Sequence, residues 1–176
     1  QDLKSVEESA KAITLSNDQE ILHLIPKDYV IDKQYGIKVP LGMSGTAIDG
    51  RYHLIIGAKN ARDNIEKCIK KCSIKPETVV LEQLASSMSV LTEDEKELGV
   101  CLVDMGGGTT DIAIYSNGAL EYTSSVSLGG DQVTNDLAQA LKTSSYNAEE
   151  LKIRHGCIAH ELSNDDIIEV PGVGDR

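Results

Sequence analysis

Val100-Cys101-Leu102-Val103-Asp104-Met105-Gly106-Gly107-Gly108-Thr109-Thr110-Asp111-Ile112-Ala113-Ile114-Tyr115 is the stretch that decides how this chain folds. Apolar runs flank three consecutive glycines, which reads as a buried strand, a tight turn and a second strand. Lacking Cβ atoms, the glycines are free to take positive φ, and their N–H groups can approach an anion closely. Thr109 and Thr110 add hydroxyl donors beside the turn. Asp104 ends the first strand with a carboxylate suited to holding a metal-bound water. A Walker or Rossmann loop runs from strand into helix, whereas here a strand follows, so both of those readings fail on context. A lone triple glycine would be explained by a tight β-turn. The Asp before it, Thr-Thr-Asp after it, apolar strands on both sides and a second Gly-Gly further on favour a phosphate loop.

Downstream, Asn117-Gly118 supplies the residue types of a type I′ hairpin turn, and Glu121–Leu128 reads as the returning strand. Gly129 and Gly130 then precede a helix over Gln132–Leu141, where free N–H groups and the helix dipole would favour an anionic or polar ligand. Alone, such a Gly-Gly is explained by packing; together with the first loop it reads as a nucleotide wall. Glu149 and Lys152 stand three apart on a following helix, a spacing that gives a surface ion pair or two groups facing one ligand. His155 before Gly156 reads as a helix C-terminal interaction. His23 and His53, within apolar runs, read as structural, and His160 as exposed.

Upstream, Asp2–Ile13 carries Leu3, Val6, Ala10 and Ile13 at helical spacing. Glu20–Asp32 reads as strand interrupted by Pro26, which implies a bend or an edge. Lys33–Asp49 reads as loop, Arg51–Lys59 as strand, and Ala61–Cys72 as a helix capped by Asn60 with an apolar stripe of Ile65, Cys68, Ile69 and Cys72. Together these make a small α+β module of roughly 75 residues. Thr78–Leu81 reads as a short strand, Leu84–Leu91 as a small-residue helix, and Thr92–Glu97 as a solvated charge run. Glu82 follows the short strand. A carboxylate there is placed either at the surface or beside the phosphate loop, where it would orient a water.

The 176 residues suffice for one full domain or two small ones. With no Trp or Phe, the core is expected from Ile, Leu, Val and Ala. A net charge of −11 argues against nucleic acid and against direct contact with an anionic membrane surface. The four cysteines lack paired metal-ligand spacing, so Cys68, Cys72 and Cys101 read as buried, reduced thiols. There is no signal peptide and no apolar run long enough to span a membrane. The chain opens at Gln1 inside a helical pattern and stops without a closing element, as a piece of something longer would.

Three stretches carry a resemblance: Leu81–Leu120, with the triple-glycine loop; Ile21–Gly45, with ILHLIPKDYVID and its GI…P.G…G loop; and Ala148–Cys157 (AEELKIRHGC). The chain resembles the FtsA family of bacterial cell-division proteins along essentially its whole length. The glycine loop is shared among actin-like ATPases, chaperone ATPases and some kinases, whereas the IPKDYVID segment is particular to the FtsA insertion. The resemblance implies an α/β actin-like ATPase fold, present in part, with an SHS2-like inserted subdomain (1C) of α+β type. Residues 1–76 would be most of 1C, 77–97 the return to subdomain 1A, 98–142 the start of 2A and 143–176 the start of 2B. It also implies ATP and Mg²⁺ as cofactors. Asp104 would hold the magnesium hydration shell; Gly106, Gly107, Gly108, Thr109 and Thr110 would hold the β/γ-phosphates; Gly129 and Gly130 would line the nucleotide; Glu149 and Lys152 would contact ribose and adenine. Glu82 would match the water-orienting carboxylate, although Gln83 stands where many relatives have Pro, so hydrolysis would be slow at most. The implied role is an adaptor that polymerises, tethers the FtsZ ring to the cytoplasmic face of the inner membrane at the septum, and recruits later division proteins through 1C. The first phosphate loop, the membrane-binding C-terminal helix and the segment credited with FtsZ binding do not occur in these residues. A kinase or chaperone ATPase on the same fold is the alternative.

Overall fold

A computed structural model of the chain describes residues 2–159 and 167–172. They fall into two compact units: residues 2–103 with 112–124, and residues 104–111 with the described residues from 125 onward.

The first unit opens with α1 (Asp2–Lys11) and the long strand β1 (Gln19–Ile31), followed by β2 (Gln34–Ile37), β3 (Ile48–Ala58) and α2 (Lys59–Lys71). The strands form an antiparallel sheet in the order β2-β1-β3, with β1 and β3 paired from Gln19↔Ala58 to Ile31↔Ile48. The interrupted run around Pro26 is thus one continuous strand whose register slips between Pro26 and Asp28. β2 pairs only with the far end of β1, at Tyr29 and Ile31. Pro26 therefore has a ladder on one side only, where a missing N–H is tolerated. β2 itself lies inside the stretch expected to be loop. Its turn is built by Asp32 and Lys33, both at positive φ (45° and 71°), and Asp32 also accepts hydrogen bonds from the Thr46 and Ala47 amides and the Thr46 hydroxyl. Leu3, Val6 and Ala10 of α1 are half-buried, as their spacing predicts.

The helix α2 departs from expectation. Ala58, not Asn60, occupies the N-cap and makes no side-chain cap. Ile65, Cys68 and Cys72 face solvent, while Arg62, Glu66 and Ile69 turn inward. Arg62 bonds to Glu20 of β1 at 2.8 Å and to Glu66 at 2.9 Å, so a charged network orients the helix in place of its apolar stripe. Residues 78–81, expected as a short strand, form no strand. The Leu81 N–H instead donates to His23 Nε2 at 3.0 Å.

Next come α3 (Glu82–Val90), α4 (Glu93–Leu98), β4 (Val100–Met105), β5 (Thr110–Ser116) and β6 (Ala119–Val126), the strands forming a second sheet in the order β4-β5-β6. Short connections between neighbouring strands make both links hairpins. Asn117 and Gly118, at φ 50° and 70°, form the I′-type turn the dipeptide predicts. Ala113, Tyr115 and Leu120 form the buried cluster of this unit, packed by Ile25, Leu84, Leu91, Val100 and Leu102. Tyr29, Ile31 and Ile55 are buried in the first sheet, where Tyr29 meets Tyr52 edge to face at 6.1 Å. Tyrosines therefore share the core with the aliphatic residues. Cys101 is exposed, because β4 alternates and turns Cys101, Val103 and Met105 outward. His53, whose pKa burial pushes down, bonds through Nε2 to Thr123 of β6.

In the second unit, α5 (Gly130–Leu141) packs against α6 (Ser145–His155), with Ala148 and Thr134 buried. Lys142, in left-handed conformation, ends α5. The Ser144 hydroxyl caps α6 by accepting from the Asn147 amide. His160 lies outside the described residues. Among the described residues, no helix is long and apolar enough to cross a membrane.

Candidate functional site

The glycine turn, residues 106–109, joins β4 to β5 and closes on itself through Gly106 N–H donating to Thr109 O at 2.9 Å. The first amides of α5 then hold its carbonyls: Gly130 N–H donates to Gly106 O at 3.0 Å and Asp131 N–H to Gly107 O at 2.8 Å. Those two helix N-terminal donors, expected to be free for a ligand, are committed to shaping the loop. The amides of Gly107 and Gly108 donate to no backbone carbonyl among the described residues, so the loop's own donors are the ones left for an anion.

None of these glycines adopts positive φ, so the backbone freedom expected of them is not what they supply. At Gly129 the missing side chain supplies clearance, since a Cβ there would lie 2.4 Å from Gly107 O, whereas one on Gly107 would come no nearer than 3.4 Å to the Asp131 carboxylate and one on Gly108 would meet nothing within 4 Å. The two hydroxyls beside the turn are also engaged: Thr109 donates to the buried Asp111 at 3.0 Å and Thr110 to Leu128 O at 2.7 Å. Asp104 is half-buried on the side of β4 shared with Val100 and Leu102.

Glu149 and Lys152 belong to the same compact unit as the loop. They form an ion pair at 2.6 Å, and Lys152 Nζ also donates to Thr134 Oγ1 at 2.8 Å and to Gly130 O at 3.1 Å. Three acceptors match the three N–H bonds of the ammonium. The Thr134 hydroxyl donates to Glu149 Oε2. Lys152 first and Thr134 second hold the Glu149 carboxyl below its ordinary pKa, against a smaller effect of desolvation. The pair is thus a built feature standing over the start of α5, because Gly130 bonds both to the loop and to Lys152. Glu82 opens α3 in the other unit and is exposed. Among the described residues, no three His, Cys, Asp or Glu side chains group as metal ligands.

Reading the sequence misses Thr134 and Asp131. The signal for Thr134 is its spacing of four from Gly130, which puts both on one helix face. Chemically, the unit offers loop amides for a polyanion and a fixed carboxylate–ammonium pair for a polar group.

The two sheets and their flanking helices define an α/β protein of the actin-like fold. The PilM–PilN type IV pilus biogenesis complex, at 15% identity, superimposes with a TM-score of 0.68 over 89% of this chain and 45% of that one. The family model described as cell division protein FtsA matches residues 101–176, and that of the SHS2 domain inserted in FtsA matches residues 1–56. The chain belongs to the FtsA family of cell-division proteins. The FtsA of Pseudomonas aeruginosa is 52% identical over 99% of this chain and 42% of its own length. That of Escherichia coli K12 is 44% identical over 100% and 42%. The chain therefore spans about 42% of the length of these curated relatives.

Proposed function

We propose that the protein is an ATP-binding adaptor of cell division that assembles with itself, tethers the FtsZ ring to the cytoplasmic face of the inner membrane at the septum, and recruits later division proteins. The observation that carries the nucleotide reading is the latch between the glycine loop and α5, which spends the carbonyls of Gly106 and Gly107 inward. A phosphate chain would take the amides of Gly107 and Gly108, and a ribose would meet the Glu149–Lys152 pair. Thr109, Thr110, Gly129 and Gly130 would act by holding that frame. Magnesium fits one carboxylate acting through water, since it keeps several waters and takes its other ligands from phosphate oxygens; Asp104 would be that carboxylate. The ion would screen charge on the phosphates.

Residues 1–76 would be the partner- and filament-contacting 1C subdomain, 77–97 the return to 1A, 98–142 the start of 2A and 143–176 the start of 2B. Glu82 is the candidate for orienting water, and hydrolysis would be slow, with bound nucleotide biasing conformation and assembly.

The test compares magnesium-ATP binding by the full-length protein with that of Asp104→Ala and Gly107→Val, alongside co-sedimentation of FtsZ with vesicles. Wild type should bind ATP, both variants should lose at least tenfold in affinity, roughly one strong polar contact, and FtsZ should reach vesicles only when the protein is present. ATP binding without FtsZ recruitment would overturn the adaptor reading in favour of a kinase or chaperone role.

A further inference from the structure

Thr134, in the second unit, bonds to both members of the Glu149–Lys152 pair, and it is only 6% exposed. Its hydroxyl has one proton and two acceptors within reach, the Glu149 carboxylate and Gly130 O at 3.2 Å. The carboxylate is charged and lies closer, so the proton belongs to Glu149. Lys152 then fills a lone pair of the same hydroxyl. Among the described residues, both groups that bond to the Glu149 carboxylate, Thr134 and Lys152, hold Oε2. Oε1 is left as an acceptor on a side chain that is 42% exposed. With its three N–H bonds occupied, Lys152 works through Glu149 as much as beside it.

We infer that Thr134 is a positioning residue for the nucleoside end of the site: by fixing Oε2 it orients Oε1 of Glu149 toward the vicinal hydroxyls of a ribose. The inference rests on the nucleotide reading above. It differs from a general packing role because a hydroxyl that aims a carboxylate affects only ligands that carry the sugar. The polyphosphate contacts would be made by the Gly107 and Gly108 amides, whose frame Thr134 reaches only through Lys152, which also donates to Gly130 O. Replacing the hydroxyl by a methyl of the same shape leaves the helix packing filled and removes one of the two groups that hold Oε2, so that Glu149 is kept by the Lys152 ion pair alone and its rotamer is less restricted.

The experiment measures affinity of the full-length protein for magnesium-ATP and for inorganic tripolyphosphate, by calorimetry, in wild type, Thr134→Val and Thr134→Ser. The expected result is a loss of about tenfold for ATP in Thr134→Val, the size of one charge-assisted hydrogen bond. Tripolyphosphate affinity should stay unchanged even though the melting temperature falls modestly with the lost hydrogen bonds, and Thr134→Ser should restore ATP binding. Undiminished ATP affinity in Thr134→Val overturns the inference and leaves the nucleotide reading standing. Equal loss for both ligands also overturns it, since Thr134 would then support the whole frame. Wild type that binds neither ligand removes the nucleotide reading, and this inference with it.

Discussion

Ser87 and Tyr115 share a buried hydrogen bond of 2.7 Å, and the two partners do not have equal stakes in it. Ser87 also donates to Leu84 O at 2.8 Å. Its single proton is spent there, so the Tyr115 hydroxyl is the donor in the shared bond. Truncating Ser87 therefore strands a buried O–H, whereas truncating Tyr115 removes a donor and leaves Ser87 bonded to Leu84. Leaving a buried polar group unmatched costs about 1–3 kcal/mol, against about 0.5–1.5 for a bond whose partner stays satisfied. Ser87→Ala should thus destabilise the protein by about 1 kcal/mol more than Tyr115→Phe, and the double variant should recover part of the Ser87→Ala loss. Urea unfolding of the four proteins decides it. A costlier Tyr115→Phe would mean that the proton assignment is reversed.

The helix α4 shows at element scale how a short segment is held. Six residues form too few internal bonds for a helix to persist on its own. Thr92 compensates with a capping box: its hydroxyl accepts from the Glu95 amide at 3.3 Å, and the Glu95 carboxylate accepts from the Thr92 amide at 2.8 Å. The Thr92 amide first and its hydroxyl second, both donating to that carboxylate, hold the Glu95 carboxyl below its ordinary pKa. Thr92→Ala should cost about 1 kcal/mol and speed amide exchange at Glu95, while Thr92→Ser should match wild type; an unchanged exchange rate in Thr92→Ala would count against the box. The Thr-x-x-Glu spelling of this cap is legible in the sequence, yet the charge run masks it as solvated surface. Elements with a local cause read well: the Asn117-Gly118 turn, the distortion at Pro26, the paired strands around the glycines. Those set by tertiary partners did not. β2 is four residues long and exists through its pairing with Tyr29 and Ile31. α2 turns its charged face inward because Glu20 of β1 is there for Arg62. At the site, the glycine loop was plain from composition. That the α5 amides would be consumed by the loop, and that Thr134 would bridge Glu149 and Lys152, depended on which helix face met which backbone. Spacing alone carries no such information.

Over the whole molecule the net charge is −11, but charge is distributed unevenly, and the thiols report on it. All four cysteines are exposed. Cys68 and Cys72 lie on α2 among Lys67, Lys70 and Lys71, whereas Cys101 sits on β4 between apolar neighbours with no lysine in that strand. An anionic disulfide reagent is repelled by the molecule as a whole and concentrated locally beside those lysines. The chain of residues 1–176 should therefore release four equivalents of thiol without denaturant, with Cys68 and Cys72 modified a few-fold faster than Cys101. In 1 M salt, where the Debye length falls to about 3 Å, the preference should vanish. A neutral alkylating reagent should show little preference at any ionic strength, which separates field from access. Peptide mapping by mass spectrometry over a time course reads each site. A thiol that reacts only after denaturation would place that side chain in the interior, and a preference that survives high salt would assign the difference to local packing instead of charge.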